Sequence, residues 1–380
     1  MNQDERFIRS ALILAKRGIG SVEPNPAVGA VIVKKGRIIG RGWHKKFGGP
    51  HAEINAIEDC KTLGASPQGA TIYVTLEPCC HYAKTPPCTD AIIAAGLAKV
   101  VVATVDPSAH ANGKGITQLR EAGIEVQIGV CETEARVLNA PFIKFATTGK
   151  CWVILKWAQT IDSKVAYANK TNRGQWISND QSRKDVQKLR RRVQAILVGI
   201  NTVIADDPLL TPRPARDKKP VRIVLDSSLR IPLDCKLLAT AKEAPVLIVA
   251  GEEAVQANPE ITDKITQKGA QILTVLAAQG RCDLKSLLGE LTRRGVQQLL
   301  VEGGPKVLAS FLKEQLADEV VVYIAPKILG GSGSASITEP LAELTSDVGL
   351  RYVDIKRFGD NVRLTGLSET ALRELSIVKG

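Results

Sequence analysis

One histidine, two cysteines and a glutamate in the first quarter of the chain have the types and spacing of a catalytic metal site. Glu53 stands two positions after His51, and Cys79 and Cys88 follow. One imidazole and two thiolates suit zinc, and three protein ligands leave a fourth position for water. Zinc lowers the pKa of bound water to about 7, and Glu53 can move that proton to a ring nitrogen and a leaving amine. The sequence therefore predicts zinc-dependent deamination of a pyrimidine-like amine.

The spacing of the cysteines leaves alternatives for the metal ligands. The pattern H-x-E followed by P-C-x-x-C is typical of nucleobase deaminases, but Tyr82 stands here where the second cysteine is expected. Cys80 competes with Cys88, and we favour Cys88 because adjacent residues point apart and rarely reach one metal. A closed structural zinc site with four ligands, Cys80 or His81 being the fourth, is the other interpretation. That site would leave Glu53 without a role.

Alternating helices and strands must position these residues. The first part of the chain predicts helices over 3–17, 51–60, 87–95 and 116–122 and strands over 27–33, 37–43, 70–76, 99–105 and 125–128. Both His51 and Cys88 then begin a helix, where the positive end of the helix dipole favours thiolate charge. Such an order indicates a central sheet with helices on both faces, an α/β/α sandwich.

A second domain is expected from about residue 148. The stretch 140–150 carries proline, threonine and glycine, and a new apolar strand begins after Cys151. Six strands and three helices alternate from there, and a final hairpin turns on Gly359 and Asp360. All four histidines lie within the first 110 residues. The second domain therefore performs any chemistry of its own without histidine.

Composition and charge narrow the classes of partner. No run of residues reaches the ~18 apolar residues of a membrane span, and charged residues interrupt the amino-terminal segment, so we expect a cytoplasmic protein. The net charge of +12 suits either nucleic acid or a small phosphorylated substrate. The basic stretch 181–192 spreads around a predicted helix as a solvated face and lacks interleaved aromatics. We favour the small substrate; a nucleic-acid-editing deaminase is the alternative.

Several motifs together resemble a known family. PNPAVGAVIV, HAE, TLEPCCHYAKTPPC, KWAQTID, QWIS, ILVGINTVIADDPLLTPR, IVLDS and VEGG occur in this order. This order resembles the bifunctional deaminase-reductase family of riboflavin biosynthesis over almost the whole chain. The long spacing between Cys79 and Cys88 is specific, because it separates this family from cytidine and transfer-RNA deaminases.

The resemblance implies a fold and two consecutive reactions. Residues 1–147 would form a cytidine-deaminase-like α/β/α sandwich, and residues 148–380 a dihydrofolate-reductase-like α/β domain. The first would deaminate 2,5-diamino-6-ribosylamino-4(3H)-pyrimidinone 5′-phosphate with one zinc ion per chain, and the second would reduce the ribosyl group to ribityl with NADPH. A homo-oligomer is left open. The alternative within this family is a deaminase whose second domain no longer reduces its ligand.

Site residues are carried over by position. Those expected to contact the deaminase substrate are Asn25, His44, His81, Lys84 and Asp106. Those expected to contact the reductase substrate are Lys156, Gly174, Arg190, Leu210, Arg213 and Glu302. Those expected to contact NADPH are Ala158, Trp176, Thr202, Asp206, Ser227 and Gly304. The sequence departs from the family pattern at Ser108, Ser163, Gly174 and Ala309.

Overall fold

The computed structural model describes residues 2–82, 86–168, 176–215, 219–278, 281–342 and 344–377. The chain divides into two compact units. Unit 1 contains the residues up to Gly149 together with a segment from Leu375, and unit 2 contains Lys150–Glu374. Among the described residues, no helix is both long and apolar enough to span a membrane.

Unit 1 is built on a five-stranded sheet. Its strands are β1 (Gly29–Lys34), β2 (Arg37–Trp43), β3 (Thr71–Val74), β4 (Lys99–Val102) and β5 (Glu125–Ile128). Its helices are α1 (Gln3–Ala15), α2 (Ala52–Thr62), α3 (Cys88–Ala94), α4 (Lys114–Glu121), α5 (Glu132–Leu138) and α6 (Ala140–Thr148). The strand order is β2-β1-β3-β4-β5, and β3, β4 and β5 run parallel.

Alternating side chains of these strands divide the core of unit 1 into two layers. On one face, Ile32 and Val74 pack with apolar residues of α2, α3 and α4. On the other face, Val31 and Tyr73 pack with residues of α1 and α5. This is the expected α/β/α sandwich, because neighbouring residues of a strand point to opposite faces and each face requires a cover.

The end of unit 1 differs from the expectation. Residues 140–150 were expected to break the pattern because they contain proline and glycine, but α6 occupies Ala140–Thr148. Pro141 stands in the first turn of this helix, where its missing N–H costs nothing, and Gly149 ends the helix with φ 64°. Ala140 and Ile143 are buried. Proline and glycine therefore mark the two ends of a helix here.

Unit 2 is built on a nine-stranded sheet. The strands of this sheet are β6 (Trp152–Thr160), β8 (Ala195–Gly199), β9 (Val221–Leu225), β10 (Val246–Gly251), β11 (Gln271–Val275), β14 (Gln298–Val301), β15 (Glu319–Ala325), β17 (Leu350–Phe358) and β18 (Asn361–Ser368). Two small two-stranded sheets pair β7 (Lys164–Tyr167) with β16 (Gly333–Ser336), and β12 (Ala277–Ala278) with β13 (Arg281–Cys282).

Helices alternate with these strands. They are α7 (Asp180–Arg192), α8 (Ile200–Asp206), α9 (Lys236–Ala239), α10 (Glu252–Ala257), α11 (Pro259–Gln267), α12 (Leu284–Arg293), α13 (Pro305–Lys313), α14 (Thr338–Leu341) and α15 (Glu369–Glu374). The sheet order is β11-β10-β9-β8-β14-β6-β15-β18-β17, parallel from β11 to β15, with β18 and β17 antiparallel. This is the mostly parallel sheet with an antiparallel end that the sequence predicts, in a dihydrofolate-reductase-like fold.

The strand order of unit 2 reverses direction beside β14. Strand β14 lies between β6 and β8, although both come much earlier in the chain, so the connections diverge there. Open parallel sheets bind ligands at such a point, beyond the carboxyl ends of the strands. Glu302 follows β14 directly, and α8 begins directly after β8.

Candidate functional sites

Three predicted metal ligands of unit 1 lie together. His51 immediately precedes α2, Cys88 is the first residue of α3, and Cys79 follows β3 on the loop to α3. Nδ1 of His51 lies 3.4 Å from Sγ of Cys79 and 3.3 Å from Sγ of Cys88. All three potential ligand atoms are within 4.8 Å of one another.

This geometry fits a zinc ion. Zinc bonds to sulfur at about 2.3 Å and to histidine nitrogen at about 2.0 Å, so a tetrahedral site separates the two atoms by roughly 3.5 Å. The observed separations of 3.3 and 3.4 Å are close to that value. The backbone N–H of Cys88 also donates to Sγ of Cys79 at 3.3 Å, which favours a thiolate. Three ligands leave a tetrahedral metal one position for water or substrate.

Two buried side chains beside this group each have one polar atom without a hydrogen-bond partner among the described residues. Glu53 is 3% exposed, and its Oε2 has no hydrogen-bond partner among the described residues. Burial, reinforced by the neighbouring Cys79, raises the pKa of Glu53 to about 7. His44 is also buried, and its Nε2 is likewise without a partner in the described part of the chain. Buried polar atoms are normally satisfied, so these two indicate a ligand.

The rival ligand Cys80 does not join the group. Its Sγ approaches the carbonyl of His110 at 3.9 Å, and the ring of His110 lies 5.7 Å from that of His81. Asn25 is half-buried in the loop before β1, and Asp106 accepts a hydrogen bond from the N–H of Ser108. Lys84 lies outside the described residues.

In unit 2, three predicted substrate contacts form one buried ion cluster. Arg190 donates from Nε and Nη2 to the two oxygens of Glu302 at 2.7 and 2.9 Å, and Nζ of Lys156 lies 3.7 Å from Oε2. Burial alone would raise the pKa of Glu302, but Arg190 and Lys156 outweigh it and lower this pKa to about 2. Desolvation lowers the pKa of Lys156. The cluster is a fixed polar surface at the end of β14.

Four other predicted contacts of unit 2, together with Thr202, have identifiable neighbours or backbone conformations. A Cβ on Gly304 would lie 3.5 Å from Oγ1 of Thr202, so these two predicted cofactor contacts are neighbours. Leu210 is buried with φ 56°, and Arg213 donates its N–H to the side chain of Gln187 on α7. Trp176 is 63% exposed beneath the guanidinium of Arg183.

The remaining predicted contacts have simpler surroundings. Ala158 pairs with Tyr323 across β6 and β15. Asp206 ends α8, and the carbonyl of Ser227 accepts from Gly251. Gly174 lies outside the described residues.

The basic stretch 181–192 is less solvated than expected. Arg192 pairs with Glu319 at 2.6 Å, and Arg190 pairs with Glu302. Both arginine side chains are at most 20% exposed. The positive charge of α7 is thus partly neutralised within unit 2.

Comparison with known proteins identifies the family. Residues 1–104 match the cytidine and deoxycytidylate deaminase zinc-binding region, and residues 151–364 match the RibD C-terminal domain. The riboflavin biosynthesis protein RibD of Aquifex aeolicus is 48% identical over 328 residues, which cover 86% of this chain and 88% of that protein. The chain belongs to the RibD family. It is therefore a bifunctional enzyme of riboflavin biosynthesis with a deaminase domain and a reductase domain.

Solved structures of RibD proteins share this fold. RibD of Acinetobacter baumannii is 36% identical with a TM-score of 0.79, covering 96% of this chain and 99% of that one. A diaminohydroxyphosphoribosylaminopyrimidine deaminase/5-amino-6-(5-phosphoribosylamino)uracil reductase from Thermotoga maritima is 36% identical with a TM-score of 0.78 and the same coverage. The two-domain α/β architecture expected for the RibD family is thus confirmed.

Sequence reasoning missed some buried polar residues near both sites. Asp185 of α7 accepts from the hydroxyl of Tyr323 at 2.8 Å and from Arg363 at 2.7 Å, on the face of the sheet that also carries Lys156. Glu77 is buried two residues before Cys79. A charged residue directly between a buried strand and a metal ligand was the one available signal for Glu77.

Proposed function

We propose that unit 1 deaminates 2,5-diamino-6-ribosylamino-4(3H)-pyrimidinone 5′-phosphate and that unit 2 then reduces its ribosyl group to ribityl with NADPH. The observation that carries the deaminase assignment is the group of His51, Cys79 and Cys88 beside the buried Glu53. The similarity to the deaminase/reductase of Thermotoga maritima supports both activities. In this proposal, residues 1–147 and 148–380 form the two functional domains.

His51, through Nδ1, and the thiolates of Cys79 and Cys88 would hold the zinc ion. When bound, zinc supplies a Lewis acid that activates water for attack on the pyrimidine ring. Glu53 would accept one proton from the attacking water and deliver it to the ring nitrogen, and it would then move the remaining proton of the new hydroxyl to the amine, which leaves as ammonia. Its burial and its Oε2, which has no hydrogen-bond partner among the described residues, support this role, because a desolvated carboxyl group binds and releases a proton near neutral pH.

His44 accepts a hydrogen bond from the substrate in this proposal. Its Nδ1 lies 3.2 Å from the carbonyl of Pro50, which can only accept, so Nδ1 carries the hydrogen and Nε2 is an acceptor. Desolvation lowers the pKa of His44 and so favours the neutral ring. An acceptor suits an amino group of a diaminopyrimidine. Further substrate contacts are proposed for Asn25, His81, Lys84 and Asp106.

In unit 2, the ion cluster orients the substrate and the glycine turn approaches the cofactor. Lys156, Arg190 and Glu302, with Gly174, Leu210 and Arg213, are the proposed substrate contacts. A Cβ on Gly303 would lie 2.5 Å from Cα of Val198, and Gly304 has φ 60°, so both glycines are required before α13. Free N–H groups at a helix start suit a cofactor phosphate.

When bound, NADPH would supply the hydride, and the residues of unit 2 would orient the cofactor against the substrate. Thr202 and Gly304 would hold the cofactor together with Ala158, Trp176, Asp206 and Ser227.

The test is to supply the diamino substrate with and without NADPH and to identify the products by mass. We expect the amino group to be replaced by oxygen in both cases, and two hydrogens to be added only with NADPH. Deamination without reduction would mean that unit 2 is inactive. Tight, salt-sensitive RNA binding with no action on the free pyrimidine would support a nucleic-acid enzyme instead.

We also propose that the chain self-associates through β17. This strand is an edge of the nine-stranded sheet, and every residue from 351 to 357 is exposed. Long exposed edge strands pair readily with other strands. Antiparallel pairing of two copies about Ile355, which is 67% exposed, would place Asp354 of each copy opposite Lys356 of the other. A two-fold dimer has this self-complementary form.

Light scattering after size exclusion tests this interface. We expect a dimer for the wild type and a monomer for Ile355→Glu. Ile13→Glu is the control, since Ile13 is 62% exposed on α1. A wild-type monomer, or dissociation of both variants alike, would contradict pairing through β17.

A further inference from the structure

Glu77 connects two parts of unit 1 through hydrogen bonds. One part is the strand end that leads to the metal ligand Cys79, and the other is the segment 106–116. It is 4% exposed and lies three residues after the end of β3. Its backbone N–H donates to the carbonyl of Thr104 at 3.0 Å, which fixes it beside the end of β4. The backbone that carries this carboxylate is therefore held in place.

Both oxygens of the Glu77 carboxylate accept backbone N–H groups. Oε2 accepts from Asp106 at 3.1 Å and from Gly113 at 3.0 Å. Oε1 accepts from Gly115 at 2.9 Å and from Ile116 at 3.4 Å. These donors include the first turn of α4, whose N–H groups have no partner within the helix and carry partial positive charge. One carboxylate thus satisfies four backbone donors of a single segment.

A carboxylate suits these four donors better than an amide. Glutamine keeps the shape but places an NH₂ group against two N–H donors, so one pair of hydrogen bonds is lost whichever way the amide turns. The segment also approaches closely, since a Cβ on Gly115 would lie 2.2 Å from the carbonyl oxygen of Pro78. Glu77 and Gly115 together set the distance between the segment and the strand end.

The segment carries groups that lie beside the residues following Cys79. Asp106 is a proposed substrate contact, and the ring of His110 lies 5.7 Å from that of His81. The carbonyl of His110 also approaches Sγ of Cys80, next to Cys79. A shift of the segment would therefore move a wall of the substrate site relative to the metal ligands.

We propose that Glu77 is a positioning residue of the deaminase, which holds segment 106–116 in register with the strand end that bears Cys79. This inference rests on the deaminase function proposed above. Glu77 contacts the segment and not the group of ligand atoms, so its loss affects binding of the substrate more than binding of zinc or the chemical step.

Glu77→Gln tests this assignment, with Asp59→Asn as the matched control. Asp59 also accepts a backbone N–H, that of Arg41 at 2.8 Å, but on α2 and away from the segment. We expect Glu77→Gln to retain its zinc and to raise the KM of deamination about tenfold, with kcat changed less than about threefold. Asp59→Asn should leave KM unchanged. An unchanged KM for Glu77→Gln, or a loss of zinc that accounts for its lost activity, would overturn the proposal.

Amide hydrogen exchange provides a readout that does not depend on activity. In the wild type, the N–H groups of Asp106 and Gly113 should exchange slowly although both lie outside α4, and in Glu77→Gln they should exchange at least about tenfold faster. Fast exchange of both in the wild type would contradict the role of Glu77 even if the variant does not fold. Slow exchange in a wild-type protein that releases no ammonia would refute the deaminase function and leave the positioning role intact.

Discussion

Glu53 in unit 1 and Glu302 in unit 2 are both buried carboxyl groups, yet their pKa values are shifted in opposite directions. Burial raises the pKa of Glu53 to about 7, and the negative charge of Cys79 adds to the effect. Burial acts in the same direction on Glu302, but Arg190 and Lys156 reverse it and bring the pKa to about 2. The charges nearby, and not the depth of burial, distinguish the two residues.

The opposite pKa shifts suit the two carboxyl groups to different roles. Oε2 of Glu53 has no partner among the described residues and can exchange a proton with a substrate. Both oxygens of Glu302 are held by Arg190, so this carboxylate stays ionised and can only orient and bind. Pairs of carboxyl groups in different surroundings often divide acid-base and electrostatic roles in this way.

The largest expected effect is that of Glu53→Gln. Removing the proton carrier should lower kcat of deamination by about 10²- to 10⁴-fold, while zinc content stays unchanged because no ligand is altered. Activity and metal analysis measure the two quantities. Glu58→Gln is the control, since Glu58 lies on the same helix with a side chain that is 62% exposed. Loss of zinc from Glu53→Gln would mean that Glu53 is a ligand.

The two cysteine positions provide the next test of unit 1. Cys88→Ser should lose zinc and with it deamination, because serine replaces one of three ligands. Cys80→Ser should keep zinc, since its Sγ approaches the carbonyl of His110 and lies outside the group of ligands. The zinc content of the two purified variants shows which cysteine is a ligand. Equal zinc loss in both would assign Cys80 to the metal.

The sequence predicts one site better than the other for a physical reason. His51 and Glu53 are close in sequence, and Cys88 begins a helix, so local spacing already indicates their chemistry. Arg190 and Glu302 are 112 positions apart and meet only because α7 packs against the sheet where β14 lies next to β6. No local pattern contains that contact, and only the family resemblance singled out both residues. The role of Glu77 was not predicted for the same reason, since the N–H groups that donate to it are 29 to 39 positions away.

A smaller effect is expected when the fixed carboxylate of unit 2 is neutralised. Glu302→Gln leaves Arg190 and Lys156 buried without an anion, which should lower the free energy of unfolding by about 3 kcal/mol at pH 7. Urea unfolding followed by tryptophan fluorescence measures it, because Trp152, Trp157 and Trp176 lie in unit 2. Glu260→Gln is the control, since Glu260 lies on α11 with a side chain that is 89% exposed. A difference below about 0.5 kcal/mol would mean that the pair contributes little.

The pH dependence of that difference sharpens the comparison further. The pKa of Glu302 is about 2 in the folded protein, below the ordinary 4.5 of glutamate. A lowered pKa stabilises the fold fully above the unfolded value and progressively less as the pH falls from 4.5 towards 2. The gap in unfolding free energy between the wild type and Glu302→Gln should therefore be constant from pH 7 to 6 and shrink between pH 5 and 3. A gap that stays constant down to pH 3 would mean that Glu302 titrates with no lowered pKa, and the contrast with Glu53 would then rest on hydrogen bonding alone.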